Sequence, residues 1–143
     1  MHVPIRPTAV AGSFYPQEPA LLSQMVAGFI DGQQAAPGQP FKNIKALIVP
    51  HAGYIFSGAI AASAYSLLTN LAQDIQRVVI LGPSHHVAFK GCAASQYDGF
   101  DTPLGVVKLD VESIQDLLHS QQIHYLEEAH SSEHCLEVQL PFL

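Results

Sequence analysis

Apolar residues recur at helical spacing in three segments of the chain. In residues 18–31 they lie three and four positions apart, which predicts an amphipathic helix: Leu21, Leu22, Met25, Val26 and Phe29. Residues 57–71 are rich in Ala and Leu and predict a tightly packed second helix. Residues 111–121 follow Asp110, a residue typical of helix N-caps, and predict a third helix.

Short apolar runs between these helices have the length of strands. Residues 44–49 read IKALIV and residues 77–82 read RVVILG, with the second helix between them. This order predicts a βαβ unit whose two strands are parallel and adjacent or nearly so. Weaker strand patterns follow at 90–97 and 105–110. The predicted fold class is therefore α/β, with a mixed or parallel central sheet and flanking helices.

The C-terminal stretch 131–143, SSEHCLEVQLPFL, begins like a capped helix and stops at an apolar Pro-Phe-Leu. A domain seldom ends on exposed apolar residues inside an element. We therefore interpret residues 1–143 as a single α/β domain that is truncated at its C-terminus. On this interpretation three apolar side chains are exposed and require a packing partner: Leu140, Phe142 and Leu143.

Composition and charge exclude several classes of function. The formal net charge is −6, and the six Lys and Arg residues are scattered rather than arranged in a basic stripe, which argues against nucleic-acid binding. The two cysteines form no CxxC pair or disulfide framework. No secretory signal and no apolar run of the ~20 residues that cross a bilayer is present, so a cytoplasmic protein without membrane contact is expected.

Charged residues are scarce for a free-standing domain. They make up 13% of the chain, against a usual share of about 25%. The scarcity indicates either a protomer with a large buried interface, for which a homo-oligomer is one interpretation, or a part of a larger fold.

Histidines follow both of the predicted buried strands. His51 comes after the first strand, and His85 and His86 come after the second, beside the turn residues Gly53 and Gly82. Because ligands of parallel α/β sheets bind beyond the carboxyl ends of the strands, we expect these side chains to share one edge. Two imidazoles there can supply two metal ligands, or a base and a proton donor.

The segment HSSEHCLE, residues 130–137, matches the H-x-x-E-H motif of inverted zincins. We interpret this match as chance, because the serines at 131 and 132 are typical N-cap residues that leave His130 outside the helix. Glu133, His134 and Glu137 then lie in the first helical turns. Two readings of these three residues stay open: acid/base groups of the same cleft, or a solvated polar face.

Neither cysteine carries a strong chemical signal. Cys92 lies in an apolar strand pattern and is interpreted as a small core residue. Cys135 follows His134 but has no evident activator, so a nucleophilic role is weakly supported. The sequence contains no GxSxG, P-loop or GxGxxG pattern, which argues against hydrolase-elbow and nucleotide-binding readings.

Several spaced motifs, in the same order, resemble the Memo family, also called AmmeMemoRadiSam system protein B. They are RPTAVAGSFYP at 6–16, PHAGYIFSG at 50–58, LGPSHH at 81–86, TPLG at 102–105 and EHCLEVQLPFL at 133–143. The resemblance implies a fold like that of LigB-type class III extradiol dioxygenases, of which this chain is an N-terminal portion. It also implies a functional link to AMMECR1-like and radical SAM proteins.

The resemblance implies that His51 and His85 are metal-pocket residues, with iron or copper as the metal. The third metal-pocket residue of the family is a cysteine that falls beyond Leu143, and neither Cys92 nor Cys135 matches it. Dioxygenase relatives hold Fe(II) with two histidines and a carboxylate. A thiolate in place of the carboxylate favours softer or redox-active metals and argues against ring cleavage.

Two functions from different classes remain open at this stage. One is a metal-dependent oxidoreductase with iron or copper between His51 and His85, and whether the protein is an enzyme is left open by the residues. The other is a non-catalytic module whose pocket binds a small ligand or a phosphorylated peptide. Metal content distinguishes the two.

Overall fold

The computed structural model describes residues 5–33 and 44–143. Its helices are α1 Pro19–Asp31, α2 Tyr54–Tyr65, α3 Val111–Leu117 and α4 Glu128–Ser131, with 3-10 helices at Ser66–Leu68 and Glu137–Phe142. Its strands are β1 Cys92–Ala94, β2 Gly99–Phe100, β3 Val107–Lys108 and β4 Ile123–Tyr125. Within the described ranges, no helix combines the length and the apolar character that a membrane span requires.

The strands form two small sheets. β1 and β4 pair in parallel, with Cys92 opposite Ile123 and Ala94 opposite Tyr125, and the connection between them contains α3. β2 and β3 pair antiparallel, with Phe100 opposite Val107. The architecture is therefore mixed α/β, with a small parallel sheet and flanking helices. The strand patterns at 90–97 and 105–110 are confirmed in part, as β1 and β3.

The predicted helix at 18–31 is confirmed as α1, and the one at 111–121 is confirmed in part, because α3 ends at Leu117. The carboxylate of Glu18 accepts hydrogen bonds from the backbone N–H groups of Ala20 and Leu21, and the carboxylate of Asp110 accepts from the N–H of Ser113. These bonds satisfy donors that a helix start leaves free. The helix predicted at 57–71 begins earlier, at Tyr54, and ends earlier, at Tyr65, where the 3-10 helix follows. The N–H of Tyr54 at its start donates to the carbonyl of Phe14 at 2.7 Å.

The apolar runs at 44–49 and 77–82 do not form the predicted pair of strands. No backbone hydrogen bond joins the two runs in the part of the chain that the structure describes. Both runs line one cleft of about 660 Å³. Ile48 is 100% exposed, and Val79 and Leu81 are also exposed. The βαβ prediction is wrong in its pairing, because apolar character alone does not specify a partner strand.

The core lies where the N-terminal arm, α1, α2 and the C-terminal segment meet. Tyr15, Leu22, Tyr54 and Val138 are buried there together. The Tyr54 hydroxyl donates to the carbonyl of Val138 at 2.8 Å, which satisfies the one polar atom of that ring. Burial of these side chains holds the N-terminal and C-terminal segments of the described chain together in one core.

The C-terminal stretch differs from its prediction. α4 ends at Ser131, and a turn and a 3-10 helix follow in place of a capped α-helix. Leu140 is buried, and the ring of Phe142 stacks on that of Tyr65 with centroids 4.9 Å apart. Leu143 is exposed as expected, whereas the prediction that Leu140 and Phe142 are exposed is wrong. The half-buried ring of Phe142 packs against the rings of Tyr54 and Tyr65 in α2.

Candidate metal centre

Three histidines from separate segments converge in the structure. His51 precedes α2, His85 follows the second apolar run, and His134 lies between α4 and the last 3-10 helix. One ligand nitrogen from each can be chosen so that all three lie within 4.8 Å of one another. The ring centroids are 5.2 Å apart for His51 and His85, and 4.4 Å apart for His85 and His134. The sequence-predicted pair is therefore brought together, and His134 joins it.

The loop that carries His51 is held from two sides. The Gln139 side chain donates from Nε2 to the carbonyl of Pro50 at 3.1 Å, and the Ser57 hydroxyl donates to the carbonyl of Ala52 at 2.8 Å. Gln139 is itself fixed by a hydrogen bond from the Tyr65 hydroxyl. These contacts hold the carbonyl groups of the residues directly before and after His51.

The loop that carries His85 is held against the segment of His134. A Cβ at Gly82 would collide with the sulfur of Cys135, so the close approach of the two segments requires glycine there. The Cys135 thiol donates to the carbonyl of Pro83 at 3.0 Å. The turn Gly82-Pro83 thus sets the distance between His85 and His134.

Glu133 is the hydrogen-bonding centre of the cluster. Its Oε1 accepts from the ring Nδ1 of His85 at 2.8 Å and from the backbone N–H groups of His134 and Cys135. Its Oε2 accepts from the backbone N–H of His85 at 2.6 Å. Burial alone would raise the pKa of this carboxyl, but the hydrogen bonds from His85, Cys135 and His134 outweigh it and lower the pKa of Glu133 to about 2.

The hydrogen bond between the His85 ring and Glu133 fixes the tautomer of His85. An ionised carboxylate can only accept hydrogen bonds, so Nδ1 of His85 carries the proton and Nε2 presents its lone pair. A carboxylate on the second ring nitrogen is the usual partner of a metal-binding histidine. Nε2 of His85 is therefore the ring nitrogen that is available as a ligand.

The surroundings of His134 lower the pKa of its ring. Burial is the main cause that lowers its pKa, and the nearby rings of His85, His51 and His86 lower it further, against the opposing charge of Glu133. Phe14 covers one side of the ring with centroids 4.8 Å apart. Neutral imidazole is the form that binds metals, so this environment favours a ligand role.

His86 and His130 lie outside the converging set. The ring of His86 stands edge-on to that of His134, with centroids 6.4 Å apart. His130 lies in α4 and is buried, with Nε2 3.2 Å from the carbonyl oxygen of Ala93. The expectation that His130 is outside the helix is wrong, yet it shares no metal-ligand group with His134 among the described residues, which agrees with a chance match to H-x-x-E-H.

Glu137 lies apart from the predicted acid/base set. Its carboxylate is fully buried and accepts hydrogen bonds from Arg6, from the N–H groups of Ala9 and Val10, and from the Tyr15 hydroxyl. Because these partners use its acceptor positions, Glu137 supports the N-terminal arm. We therefore correct the prediction that it faces the cleft. The predicted α-helix that aligned it with His134 is not formed.

The two cysteines lie in different environments. Cys92 is exposed, so the prediction of a core residue is wrong. Cys135 is buried, and burial, together with the charge of Glu133, raises the pKa of its thiol to about 12. His85, Glu133 and Cys135 form a second group with metal-ligand spacing. This group is the poorer donor set, because its carboxylate is occupied and its thiol is protonated.

His134 is the site residue whose role the sequence left ambiguous. It lies in an irregular segment, where no helix or strand period indicates the direction of a side chain. The one feature of the sequence that could indicate a site role for His134 is the preceding Glu133, because a carboxylate beside histidines is a frequent feature of metal sites.

Comparisons with known proteins agree on one family. A family model described as "Memo-like protein" matches residues 6–143. A MEMO1 family protein of Aquifex aeolicus is 38% identical over 142 residues, covering 97% of this chain and 49% of the relative. One from Saccharolobus solfataricus is 40% identical, covering 94% of this chain and 50% of the relative. The chain thus spans about half the length of these relatives, and it belongs to the Memo-like protein family.

Proposed function

We propose that this protein binds one metal ion, iron or copper, between His51, His85 and His134, and uses it in a redox reaction on a small molecule. The convergence of three imidazoles, one of them fixed in its tautomer by Glu133, is the observation that supports the proposal.

The three side chains fit a metal of this class. Imidazole nitrogen is a ligand for iron, copper and zinc alike. Nitrogens that share one metal at ~2.0–2.1 Å lie ~3–4 Å apart, while the ligand atoms here lie within 4.8 Å of one another. Small side-chain rotations are sufficient to close this difference. The resemblance placed a third ligand beyond Leu143, and His134 offers a third nitrogen within the chain itself.

The residues around the metal ligands have separable roles. Glu133 keeps the proton on Nδ1 of His85 and places a negative charge beside the cation. It is not a free carboxylate ligand, because four hydrogen bonds occupy it. The donor set therefore differs from the two-histidine, one-carboxylate set of ring-cleaving dioxygenases. Bound iron or copper would supply electron transfer, and we propose a dioxygenase-like or other redox reaction on this basis.

Elemental analysis of the purified full chain tests the metal proposal. After anaerobic reconstitution with Fe²⁺, or with Cu²⁺ in a parallel sample, the wild type should retain about one ion per chain. His51→Ala, His85→Ala and His134→Ala should each lose most of it. His119→Ala is the matched control, because His119 is exposed and distant in sequence from the cluster. A wild type that retains no metal, or three alanine variants that retain all of it, would overturn the proposal.

Oxygen uptake by the reconstituted protein distinguishes a redox enzyme from a binding module. A metal-loaded wild type that consumes dioxygen with a catechol or another reductant, while His134→Ala does not, supports the redox reaction. A pocket that binds a phosphorylated peptide with the same affinity with and without metal supports the non-catalytic alternative.

A further inference from the structure

Arg6 is a buried cation beneath the segment that carries Glu133 and His134. Its side chain is 1% exposed. The guanidinium donates from Nε to the carbonyl of His130 at 2.8 Å and from a terminal nitrogen to the carbonyl of Glu133 at 2.6 Å. Its other terminal nitrogen donates to the carboxylate of Glu137 at 2.7 Å. All three nitrogens of the group are thus used.

The two carbonyls that Arg6 binds mark the ends of one turn. The N–H of Glu133 donates to the carbonyl of His130 at 3.2 Å, which closes the turn. The guanidinium therefore holds this turn at both ends, and its planar fork fixes their separation. The next groups along the chain are the Glu133 carboxylate, bound to the His85 ring, and the His134 ring.

Arg6 is itself firmly anchored. Its backbone N–H donates to the carbonyl of Gly99 at 2.9 Å, and its carbonyl accepts from the N–H of Asp101 at 2.8 Å. The guanidinium carbon lies 4.8 Å from the centre of the Phe100 ring, a cation–π contact. The support therefore extends from β2 through Arg6 to the turn.

We propose that Arg6 is a positioning residue for the histidine cluster, acting through the Glu133 peptide group on the Glu133 carboxylate and on His134. The proposal rests on the proposed metal site for its effect on metal affinity. Its effect on the His85–Glu133 hydrogen bond needs no metal and is tested separately.

Lysine cannot replace arginine in this role. An ammonium group is a compact point charge that keeps the attraction to Glu137, but it lacks the fixed fork that reaches two carbonyls and a carboxylate together. Arg6→Lys therefore preserves the buried charge and removes the geometry. Glu137→Gln does the reverse: it removes the buried ion pair and leaves both carbonyls of the turn bound to Arg6.

Isothermal titration with Zn²⁺, a redox-silent ion that binds imidazole, is the first measurement. Arg6→Lys should bind Zn²⁺ about 10- to 100-fold more weakly than wild type, the usual effect of losing support around metal ligands. Glu137→Gln should unfold at a lower temperature, yet bind Zn²⁺ within about twofold of wild type. Parallel losses of stability and affinity in both variants would overturn the proposal, because Arg6 would then act on the fold as a whole.

A second pair of variants covers the case in which Arg6→Lys does not fold. Arg6→Met/Glu137→Gln removes both charges together, so that neither is left buried and unpaired. Compared with Glu137→Gln alone, it should show the same 10- to 100-fold loss of Zn²⁺ affinity. Equal affinities, or loss of the fold in both Arg6 variants, would contradict the proposal.

Proton NMR of the metal-free protein separates this proposal from the metal proposal. The hydrogen-bonded ring N–H of His85 should give a downfield signal in wild type and in Glu137→Gln, and should be lost by exchange in Arg6→Lys. If wild type binds neither Zn²⁺ nor Fe²⁺ nor Cu²⁺ but this pattern holds, the metal proposal fails and the positioning role stands. If wild type binds Zn²⁺ and Arg6→Lys matches it in both measurements, the positioning role fails alone.

Discussion

Glu133 and Glu137 show how the environment of a carboxylate determines its role in this protein. Glu133 faces the loops of two histidines, and its pKa falls to about 2 because amide and imidazole N–H groups outweigh the effect of burial. Glu137, four residues later, pairs with Arg6 and caps the N-terminal arm. In the sequence the two carboxylates lie in one polar segment. Only the fold distinguishes Glu133, a residue of the candidate site, from Glu137, which supports the N-terminal arm.

Alkylation of the native protein tests the different environments of the two cysteines. Iodoacetamide at about pH 8 should modify Cys92 and spare Cys135, since only a thiolate reacts and the pKa of Cys135 is raised to about 12. Peptide mass spectrometry reports the site. Both should react in concentrated guanidinium chloride, which serves as the control. Equal rates for the two cysteines in the native protein would contradict the described burial.

At the scale of elements, the helices with clear local signals were predictable, whereas the C-terminal segment and the strand pairing were not. The helical period of residues 18–31 and the cap at Asp110 are local signals, and both survive in α1 and α3. Strand pairing depends on a partner distant in sequence. The runs at 44–49 and 77–82 are apolar enough for strands, but no backbone hydrogen bond joins them in the described structure. A sequence pattern indicates that a strand can form, but tertiary contacts determine the strand with which it pairs.

The packing of α1 on α2 depends on one glycine. A Cβ at Gly58 would overlap the ring of Phe29, whereas a Cβ at Gly28 meets nothing within 4 Å. Gly58→Ala should lower the free energy of unfolding by roughly 1–2 kcal/mol, because overpacking outweighs the gain in helix propensity. Gly28→Ala is the matched control and should raise it by roughly 0.5–1 kcal/mol. Urea unfolding measures both; a stabilising Gly58→Ala would refute the close helix contact.

At the scale of the whole molecule, one buried ion pair joins the two ends of the described chain. Arg6 and Glu137 are 131 positions apart and 2.7 Å from each other. The same carboxylate binds the N–H groups of Ala9 and Val10 and the hydroxyl of Tyr15. No local sequence pattern could have indicated this contact, and for the same reason the supported turn that brings His134 to His51 and His85 could not be derived from the sequence.

Removal of one partner from this pair should be costly. Glu137→Gln should lower the free energy of unfolding by about 3 kcal/mol, because it leaves the Arg6 charge buried and unpaired. Arg77→Gln breaks the exposed pair with Asp110, in which the arginine side chain is 64% exposed, and should cost much less, because solvent screens this pair. Denaturant unfolding of the two variants provides the comparison. Equal losses of unfolding free energy in the two variants would contradict the burial of the Arg6–Glu137 pair.

Anomalous diffraction from a crystal of the full chain, grown anaerobically with Fe²⁺ or with Cu²⁺, tests the metal site most directly. We expect one peak at the metal's absorption edge, bonded to a ring nitrogen of His51, to Nε2 of His85 and to a ring nitrogen of His134, with Glu133 retaining its hydrogen bond to Nδ1 of His85. A peak held instead by His85, Glu133 and Cys135, or no peak between the three rings, would contradict this assignment.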